Sequence, residues 1–239
     1  MNADVLKRNL DNVRERMACA CARAGRDPAG VRLVAVTKTV TADVAEQLVE
    51  LGVTDIGENR IQEAARKQQR LAHLDLNWHM IGHLQTNKVT DALRLFGLIH
   101  SVDSLHLAKA LSKRASSQDL VAPILVQIDI AGEETKYGVP AADAAVEIGQ
   151  MAELRGLRIE GLMTMAPFVD DAETVRPVFA RLRELAAEID ALALPGVGMK
   201  HLSMGMTQDF EVAIEEGATL IRVGSALTSV PGTEQGRKC

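Results

Sequence analysis

The sequence predicts a single (β/α)8 TIM barrel preceded by one extra N-terminal helix. Short apolar runs that indicate eight strands alternate along the 239 residues with amphipathic segments that indicate helices. Several strand candidates, such as 121–130, are continuously apolar, which is typical of parallel strands covered by helices. The length is close to the roughly 250 residues that this fold commonly needs.

A doubly wound open sheet is the alternative fold. It needs fewer strands and usually a glycine-rich turn after the first strand. The corresponding segment here, VAVTKTVTAD at 34–43, contains no glycine. The barrel is therefore the favoured prediction.

The elements are predicted in chain order from the N-terminus. Apolar residues at intervals of three or four from Leu6 to Cys21 predict an amphipathic helix over 3–24, which ends at Gly25. The strands are predicted at 31–37, 53–57, 76–81, 97–101, 121–130, 157–165, 199–204 and 219–224. The later helices are predicted at 42–51, 60–73, 86–95, 104–115, 140–154, 171–192 and 208–216.

Nothing in the composition divides the chain into separate units. There is no linker, low-complexity tract or block of charge between the predicted elements. We expect one domain over residues 1–229. The last segment, VPGTEQGRKC at 230–239, is expected to be a disordered tail.

Bulk composition argues against several functional classes. A net charge of −5 and only 3% aromatic residues disfavour a nucleic-acid surface. The N-terminal segment lacks the apolar core of a signal peptide, and no apolar run is long enough to span a bilayer. Cys19, Cys21 and Cys239 include no CxxC pair, so neither a disulfide framework nor a zinc site is expected. We therefore expect a cytoplasmic protein with reduced cysteines and no membrane or nucleic-acid partner.

The ends of the seventh and eighth strands predict a phosphate-binding site. Barrel enzymes commonly hold a phosphate in the loops after these two strands. Ser203 offers a hydroxyl, Gly205 lets a ligand approach the backbone, and a helix start predicted at 207–209 would favour an anion. Gly224 and Ser225 repeat the arrangement after the eighth strand. Either segment alone could be an ordinary turn.

The first strand delivers Lys38 to the same end of the barrel. A lysine whose stem lies in an apolar mouth is desolvated, and an amine that is partly neutral is a nucleophile toward carbonyls. An aldehyde that carries a phosphate would then be held at both ends. Pyridoxal 5′-phosphate (PLP) fits that description. The alternative is a lysine whose amine reaches solvent.

Arg222 lies inside the eighth strand, on the same face as Leu220 and Gly224. A buried guanidinium needs an acceptor, which could be a pyridine ring nitrogen or a carboxylate such as Glu58 or Asp129. Both alternatives remain open from the sequence. Because arginine is not deprotonated in proteins, a ring nitrogen that accepts from it would stay unprotonated.

These motifs together resemble the pyridoxal phosphate homeostasis protein family, which is related to the alanine racemase N-terminal domain. The matching segments are LVAVTKT (33–39), GENRIQE (57–63), WHMIGHLQTNK (78–88), SVDS (101–104), TKYG (135–138), GLMTMAP (161–167), LSMGMTQDFEVAIEEGAT (202–219) and IRVGSAL (221–227). There is one departure: Thr228 and Ser229 stand where the family usually has Phe-Gly. This departure leaves the path of the chain after Leu227 open.

The resemblance implies a fold type III PLP barrel without the C-terminal β-domain, in which Lys38 holds PLP as a Schiff base. It implies Arg222 toward the ring nitrogen and Asn59 and Met80 beside the ring. The implied phosphate contacts are Ser203, Gly205, Gly224 and Ser225. No metal site is expected, because the four-residue spacing of His79 and His83 falls at a strand end.

The implied role is control of intracellular PLP and vitamin B6 pools, with delivery of PLP to apo-enzymes and little or no catalytic turnover. Other B6 vitamers are candidate ligands, and a monomer is expected. One alternative is a racemase-like PLP enzyme, for which Tyr137 is the only tyrosine in the chain. Another is a Schiff-base or phosphate-binding barrel enzyme that works without PLP.

Overall fold

Parallel strands close into a barrel in the computed structural model, which describes residues 2–132 and 137–229. The strands are β1 (Arg32–Val36), β2 (Asp55–Glu58), β3 (Asn77–Met80), β4 (Leu98–Val102), β5 (Ala122–Asp129), β6 (Val139–Pro140), β7 (Leu157–Met163), β8 (Val197–Ser203) and β9 (Leu220–Val223). Strand β1 pairs with both β2 and β9, and β4 pairs with β5, so every strand except β6 belongs to the closed ring. Short β6 pairs only with the end of β5. The predicted (β/α)8 barrel is confirmed.

Helices cover the outside of the barrel. They are α1 (Ala3–Arg23), α2 (Ala42–Glu50), α3 (Ile61–Arg70), α4 (Val89–Leu95), α5 (Leu105–Ser116), α6 (Ala144–Ala152), α7 (Arg176–Asp190), α8 (Phe210–Glu215) and α9 (Ser225–Thr228). The predicted boundaries agree to within a few residues, although β6 and α9 were not predicted. No helix in the described part of the chain is long and apolar enough to cross a membrane.

The extra helix α1 packs on the outside of the barrel against α8, α9 and α2. Its buried face includes Leu6 and Leu10, and Gly25 ends it with a positive φ of 64°. The side-chain amide of Asn9 donates to the carbonyls of Leu227 (3.1 Å) and Ser229 (2.8 Å). The segment after β9 therefore runs as the short helix α9 and is held against α1. Residues 230–239 lie outside the described residues, so the predicted tail stays a prediction.

The cysteines differ from expectation at one position. Cys21 is free and buried on the inner face of α1. Cys19 is disulfide-bonded, so the expectation of reduced cysteines was wrong for this residue. Cys239 lies outside the described residues.

The interior of the barrel is only partly apolar. One separate buried cluster consists of Val34, Leu98, Leu125, Met163 and Leu220. Because paired residues of parallel strands face the same side, the pairing of Val34 with both Asp55 and Arg222 also places those two charged side chains inside the ring. The much larger apolar core lies between the strands and the surrounding helices.

Candidate functional site

A cavity of about 610 Å³ opens at the C-terminal ends of the barrel strands. This volume is typical of a small-molecule site, and the position is where barrel proteins build their sites. Five residues predicted for the site contribute to its wall: Lys38, Asn59, Arg222, Gly224 and Ser225.

Lys38 lies at the rim of this cavity and is exposed. Strand β1 ends at Val36, so Lys38 belongs to the following turn and not to the strand. The expectation that apolar barrel residues enclose its stem was therefore wrong. Within residues 2–132 and 137–229 its amine has no hydrogen bond or ion pair, so it is free to react with a ligand.

The turn that carries Lys38 is fixed by a buried ion pair between α3 and the end of β2. Thr37 Oγ1 donates to Glu58 Oε1 at 2.6 Å. Lys67 Nζ, on α3, lies 2.5 Å from that same carboxylate oxygen and 2.5 Å from the carbonyl oxygen of Thr37. Glu58 is thus paired with a buried cation from α3. Sequence reasoning missed Lys67, although its place in the stripe Ile61, Ala64, Lys67 on α3 marks it as inward-facing.

Arg222 forms part of the cavity wall from inside the barrel and is only 5% exposed. Its guanidinium donates to Ser203 Oγ at 2.5 Å and to the Thr164 carbonyl at 2.9 Å. Burial lowers the pKa of Arg222 to about 10, although the charge of Asp209 raises it. The side chain is therefore still a cation at neutral pH.

Neither carboxylate considered from the sequence accepts from Arg222. Glu58 is paired with Lys67, and Asp129 accepts from the backbone N–H of Gly132 at 3.0 Å. In the described part of the chain, the hydrogen-bond partners of the guanidinium are thus neutral oxygens. This arrangement leaves Arg222 as a buried positive group at the cavity.

A chain of buried side chains continues from Arg222 through the barrel interior. Ser203 Oγ lies 2.8 Å from His100 Nδ1, and His100 Nε2 lies 2.9 Å from His79 Nδ1. His79 Nε2 lies 3.0 Å from Asp55 Oδ1. Complete burial, with the nearby charge of Arg222, holds the pKa of His100 well below its usual value, so this imidazole is neutral.

Two hydroxyls meet on the cavity wall between β8 and β9. Thr207 Oγ1 and Ser225 Oγ lie 3.0 Å apart, and both residues line the cavity. Gly224 keeps this wall close to β1, because a Cβ there would lie 3.3 Å from Cβ of Val36. Thr207 was missed by sequence reasoning, although it is a hydroxyl residue within the motif that contains Ser203 and Gly205.

The loop after β8 is built differently from the predicted anion site. Ser203 is fully buried and contacts Arg222 from inside the barrel. Gly205 has a φ of 91°, and a Cβ there would lie 2.6 Å from Cβ of Ala213, so its lack of a side chain lets the loop pack on α8. The helix starts slightly later than predicted, since α8 begins at Phe210, and the buried carboxylate of Asp209 accepts from the Met206 N–H at 2.5 Å.

Met80 does not border the main cavity. It is 1% exposed and lines a smaller neighbouring cavity of about 340 Å³, to which Asn59 also contributes.

In the wall of the main cavity, the rings of His83 and Tyr137 stack with centroids 3.8 Å apart. His83 and His79 point to different places, and no group of three or more metal-binding side chains is placed to hold an ion among the described residues.

Comparison with known proteins identifies the family. Residues 8–231 match the family model of the alanine racemase N-terminal domain. The pyridoxal phosphate homeostasis protein of Aquifex aeolicus is 43% identical over 218 residues, which cover 91% of this chain and 95% of that protein. The chain belongs to the pyridoxal phosphate homeostasis protein family. The resemblance seen in the sequence motifs is confirmed.

Further members of the pyridoxal phosphate homeostasis family agree along nearly the whole chain. The protein of that name from Pseudomonas aeruginosa is 39% identical and covers 92% of this chain and 93% of its own length. The solved structure of PipY from Synechococcus elongatus, with PLP bound, is 38% identical with a TM-score of 0.78. It covers 90% of this chain and 99% of its own.

Proposed function

We propose that this protein binds PLP in the cavity above the barrel and takes part in intracellular PLP and vitamin B6 homeostasis. Support comes from the family name of its relatives and from PLP in the structure of PipY. One observation carries the proposal: a single cavity is lined by an exposed amine, a buried guanidinium and a pair of hydroxyls. These are the groups that an aldehyde, a pyridine ring and a phosphate require.

The residues present fit this cofactor. Lys38 would form the covalent link to the aldehyde, since its amine has no competing partner in the described part of the chain. Thr207 and Ser225 would donate to phosphate oxygens, and Gly224 leaves room for their approach. Asn59 contributes to the wall of the same cavity. When bound, PLP supplies an electrophilic aldehyde and a ring that can accept electrons.

Two residues predicted for the site act indirectly in this proposal. Ser203 would act through Arg222, and Gly205 would shape the loop that carries Thr207. Arg222 would face the ring nitrogen and leave it unprotonated, because a guanidinium donates but does not transfer a proton at neutral pH. An unprotonated ring is a poor electron sink, which favours carriage of the cofactor over turnover.

One alternative to PLP binding without turnover, a racemase-like activity, is supported by a specific observation. Tyr137 lines the cavity together with Lys38, and a racemase needs two bases beside the cofactor. The ring of Tyr137 is, however, stacked on His83, and the residue is 57% exposed. So exposed a phenol is not fixed at one position beside a bound cofactor. We therefore propose little or no catalytic turnover. Delivery to apo-enzymes, a monomeric state and a cytoplasmic location remain predictions.

The test is covalent labelling of Lys38. Protein soaked with PLP should absorb near the visible edge, and borohydride reduction followed by peptide mass mapping should place the label on Lys38. Lys38→Ala should lose the label, whereas Lys109→Ala, at an exposed position on α5, should keep it. Absence of bound PLP, or a label elsewhere, would overturn the proposal and favour a barrel that works without PLP.

A second measurement separates carriage from catalysis. Pure PLP-loaded protein is incubated with L-alanine, and D-alanine is followed over time. We expect no racemisation above background. Racemisation at an ordinary enzyme rate that disappears in Tyr137→Phe would establish the racemase-like alternative.

A further inference from the structure

The polar chain inside the barrel connects two charged residues that both pair with Val34 of β1, one on each neighbouring strand. Arg222 lies at the cavity, and Asp55 lies at the start of β2, with Ser203, His100 and His79 between them. All five residues are at least nine-tenths buried. Buried polar groups are costly unless each is hydrogen-bonded, so a chain of this length inside a barrel core calls for a reason.

The donors of the chain can be assigned one after another. Burial raises the pKa of Asp55, but hydrogen bonds from His79 and Thr54 lower it by more, so the net pKa is below its usual value. The side chain is therefore a carboxylate that only accepts hydrogen bonds. His79 Nε2 therefore donates to Asp55, and its free Nδ1 accepts from His100 Nε2. The remaining His100 Nδ1 accepts from the Ser203 hydroxyl, whose oxygen accepts from Arg222.

This assignment satisfies every member of the chain with both imidazoles neutral. In the opposite direction, Ser203 Oγ would accept from both His100 and Arg222. Its own hydrogen would then have no acceptor among the described residues. All donors thus point from Arg222 toward Asp55, and each hydrogen bond polarises the next in the same sense.

We propose that Asp55, His79, His100 and Ser203 are positioning residues that hold the Arg222 guanidinium against the ring of bound PLP. The inference rests on the proposed function. Ser203 Oγ and the Thr164 carbonyl fix two nitrogens of the guanidinium plane, which leaves its other N–H groups for a ligand in the cavity. The carboxylate of Asp55, which also pairs with Arg32 Nη1 at 3.2 Å, accepts the last hydrogen bond of the chain.

The experiment is a double-mutant cycle between His100 and Arg222, read as the dissociation constant of PLP. His100→Leu removes both ring nitrogens, whereas His100→Gln keeps one donor and one acceptor. His100→Leu should weaken PLP binding up to about tenfold in the wild-type background, since it leaves the buried Ser203 hydroxyl without its acceptor and the Arg222 guanidinium less firmly oriented. In an Arg222→Ala background the same substitution should change binding less than about twofold. His100→Gln should recover part of the wild-type affinity.

Ser203→Ala provides a second variant that removes a single hydroxyl. It should weaken PLP binding in the same Arg222-dependent way. Ser112→Ala is the matched control, because Ser112 is a buried serine on α5 whose hydroxyl donates to the Arg155 carbonyl outside the barrel. It should leave PLP affinity unchanged. Circular dichroism checks that each variant is folded.

The outcomes separate the two proposals. Wild-type protein that takes up no PLP would overturn both the proposed function and the proposed positioning role of the polar chain. Tight wild-type binding with equal losses for Ser203→Ala in the presence and absence of Arg222 would show that the chain only stabilises the fold. Unchanged PLP affinity in folded Ser203→Ala would also overturn the proposed positioning role.

Discussion

Lys67 Nζ lies 2.5 Å from Glu58 Oε1, and both side chains are buried beneath the turn that carries Lys38. The pair links α3 to the end of β2, and the Thr37 carbonyl accepts from the same ammonium at 2.5 Å. A buried pair of this kind contributes little net stability but is costly to break on one side. The reactive turn is thereby tied to the barrel by an interaction that needs both partners.

Removal of the Lys67 charge should destabilise the fold strongly. Lys67→Met leaves the Glu58 carboxylate buried without its cation, which should lower the free energy of unfolding by roughly 3–5 kcal/mol. Urea denaturation measures this loss. The double variant Glu58→Gln/Lys67→Met should recover part of it, and Arg66→Met, whose pairing with Glu63 is exposed, should cost under about 1 kcal/mol. Equal losses for Lys67→Met and Arg66→Met would contradict the prediction.

The hydroxyl pair should act on the phosphate and not on the ring. Thr207→Val and Ser225→Ala each remove one donor, so each should weaken PLP binding by roughly tenfold, as expected for a hydrogen bond to a charged group. Pyridoxal, which lacks the phosphate, should bind both variants as it binds the wild type. Titration with the two ligands measures the difference, with Thr90→Val on the exposed face of α4 as the control. Similar weakening for both ligands would place the phosphate elsewhere.

Gly205 should be intolerant of a methyl group. Gly205→Ala combines a φ of 91° with a Cβ that would lie 2.6 Å from Cβ of Ala213, so we expect a loss of about 1–3 kcal/mol in unfolding free energy. Gly149→Ala on α6 is the matched control, because nothing lies within 4 Å of the added Cβ. That variant should gain up to about 1 kcal/mol from helix propensity. Chemical denaturation that finds the two substitutions alike would refute the packing argument.

Acidification should destabilise the protein through His100. Burial and the charge of Arg222 hold the pKa of His100 well below about 6.5, so below that pH the unfolded chain binds a proton that the native state does not. The free energy of unfolding therefore falls as pH decreases below about 6.5. His100→Gln should reduce the loss between pH 7.5 and 5.5 by about 1 kcal/mol.

Urea unfolding at the two pH values measures this effect. The same substitution at exposed His106 on α5 serves as the control. Some pH dependence should persist in His100→Gln, because burial also lowers the pKa of His201. An identical loss in wild type and His100→Gln would show that His100 is not the group responsible.

Periodicity was sufficient to predict the barrel because each strand and helix repeats a local pattern. Alternation along one strand also placed Arg222 inside the ring. The partners of Arg222 could not be predicted in the same way. Ser203 and Thr164 come from other strands and their ends, and their distances depend on strand register across the closed sheet.

Local signals also failed where one residue decides the outcome. Thr37 turns its hydroxyl to Glu58, and the turn that follows leaves Lys38 exposed beside the cavity. In the loop after β8 the helix start was predicted too early: α8 begins at Phe210, Asp209 accepts from the Met206 N–H, and Thr207 is the residue of this loop that lines the cavity. The sequence showed a carboxylate at that position without showing the direction in which it points.

The exposed position of Lys38 has a consequence for the release of bound PLP. Because its amine stands at the rim and not at the bottom of a pit, a primary amine from bulk solvent can approach the carbon to which the lysine would be joined. Under the proposed function, the incoming amine would replace the lysine on that carbon, so the lysine amine would be freed and the vitamer would depart joined to the incoming amine. Hand-over to an acceptor would depend on the supply of competing amines.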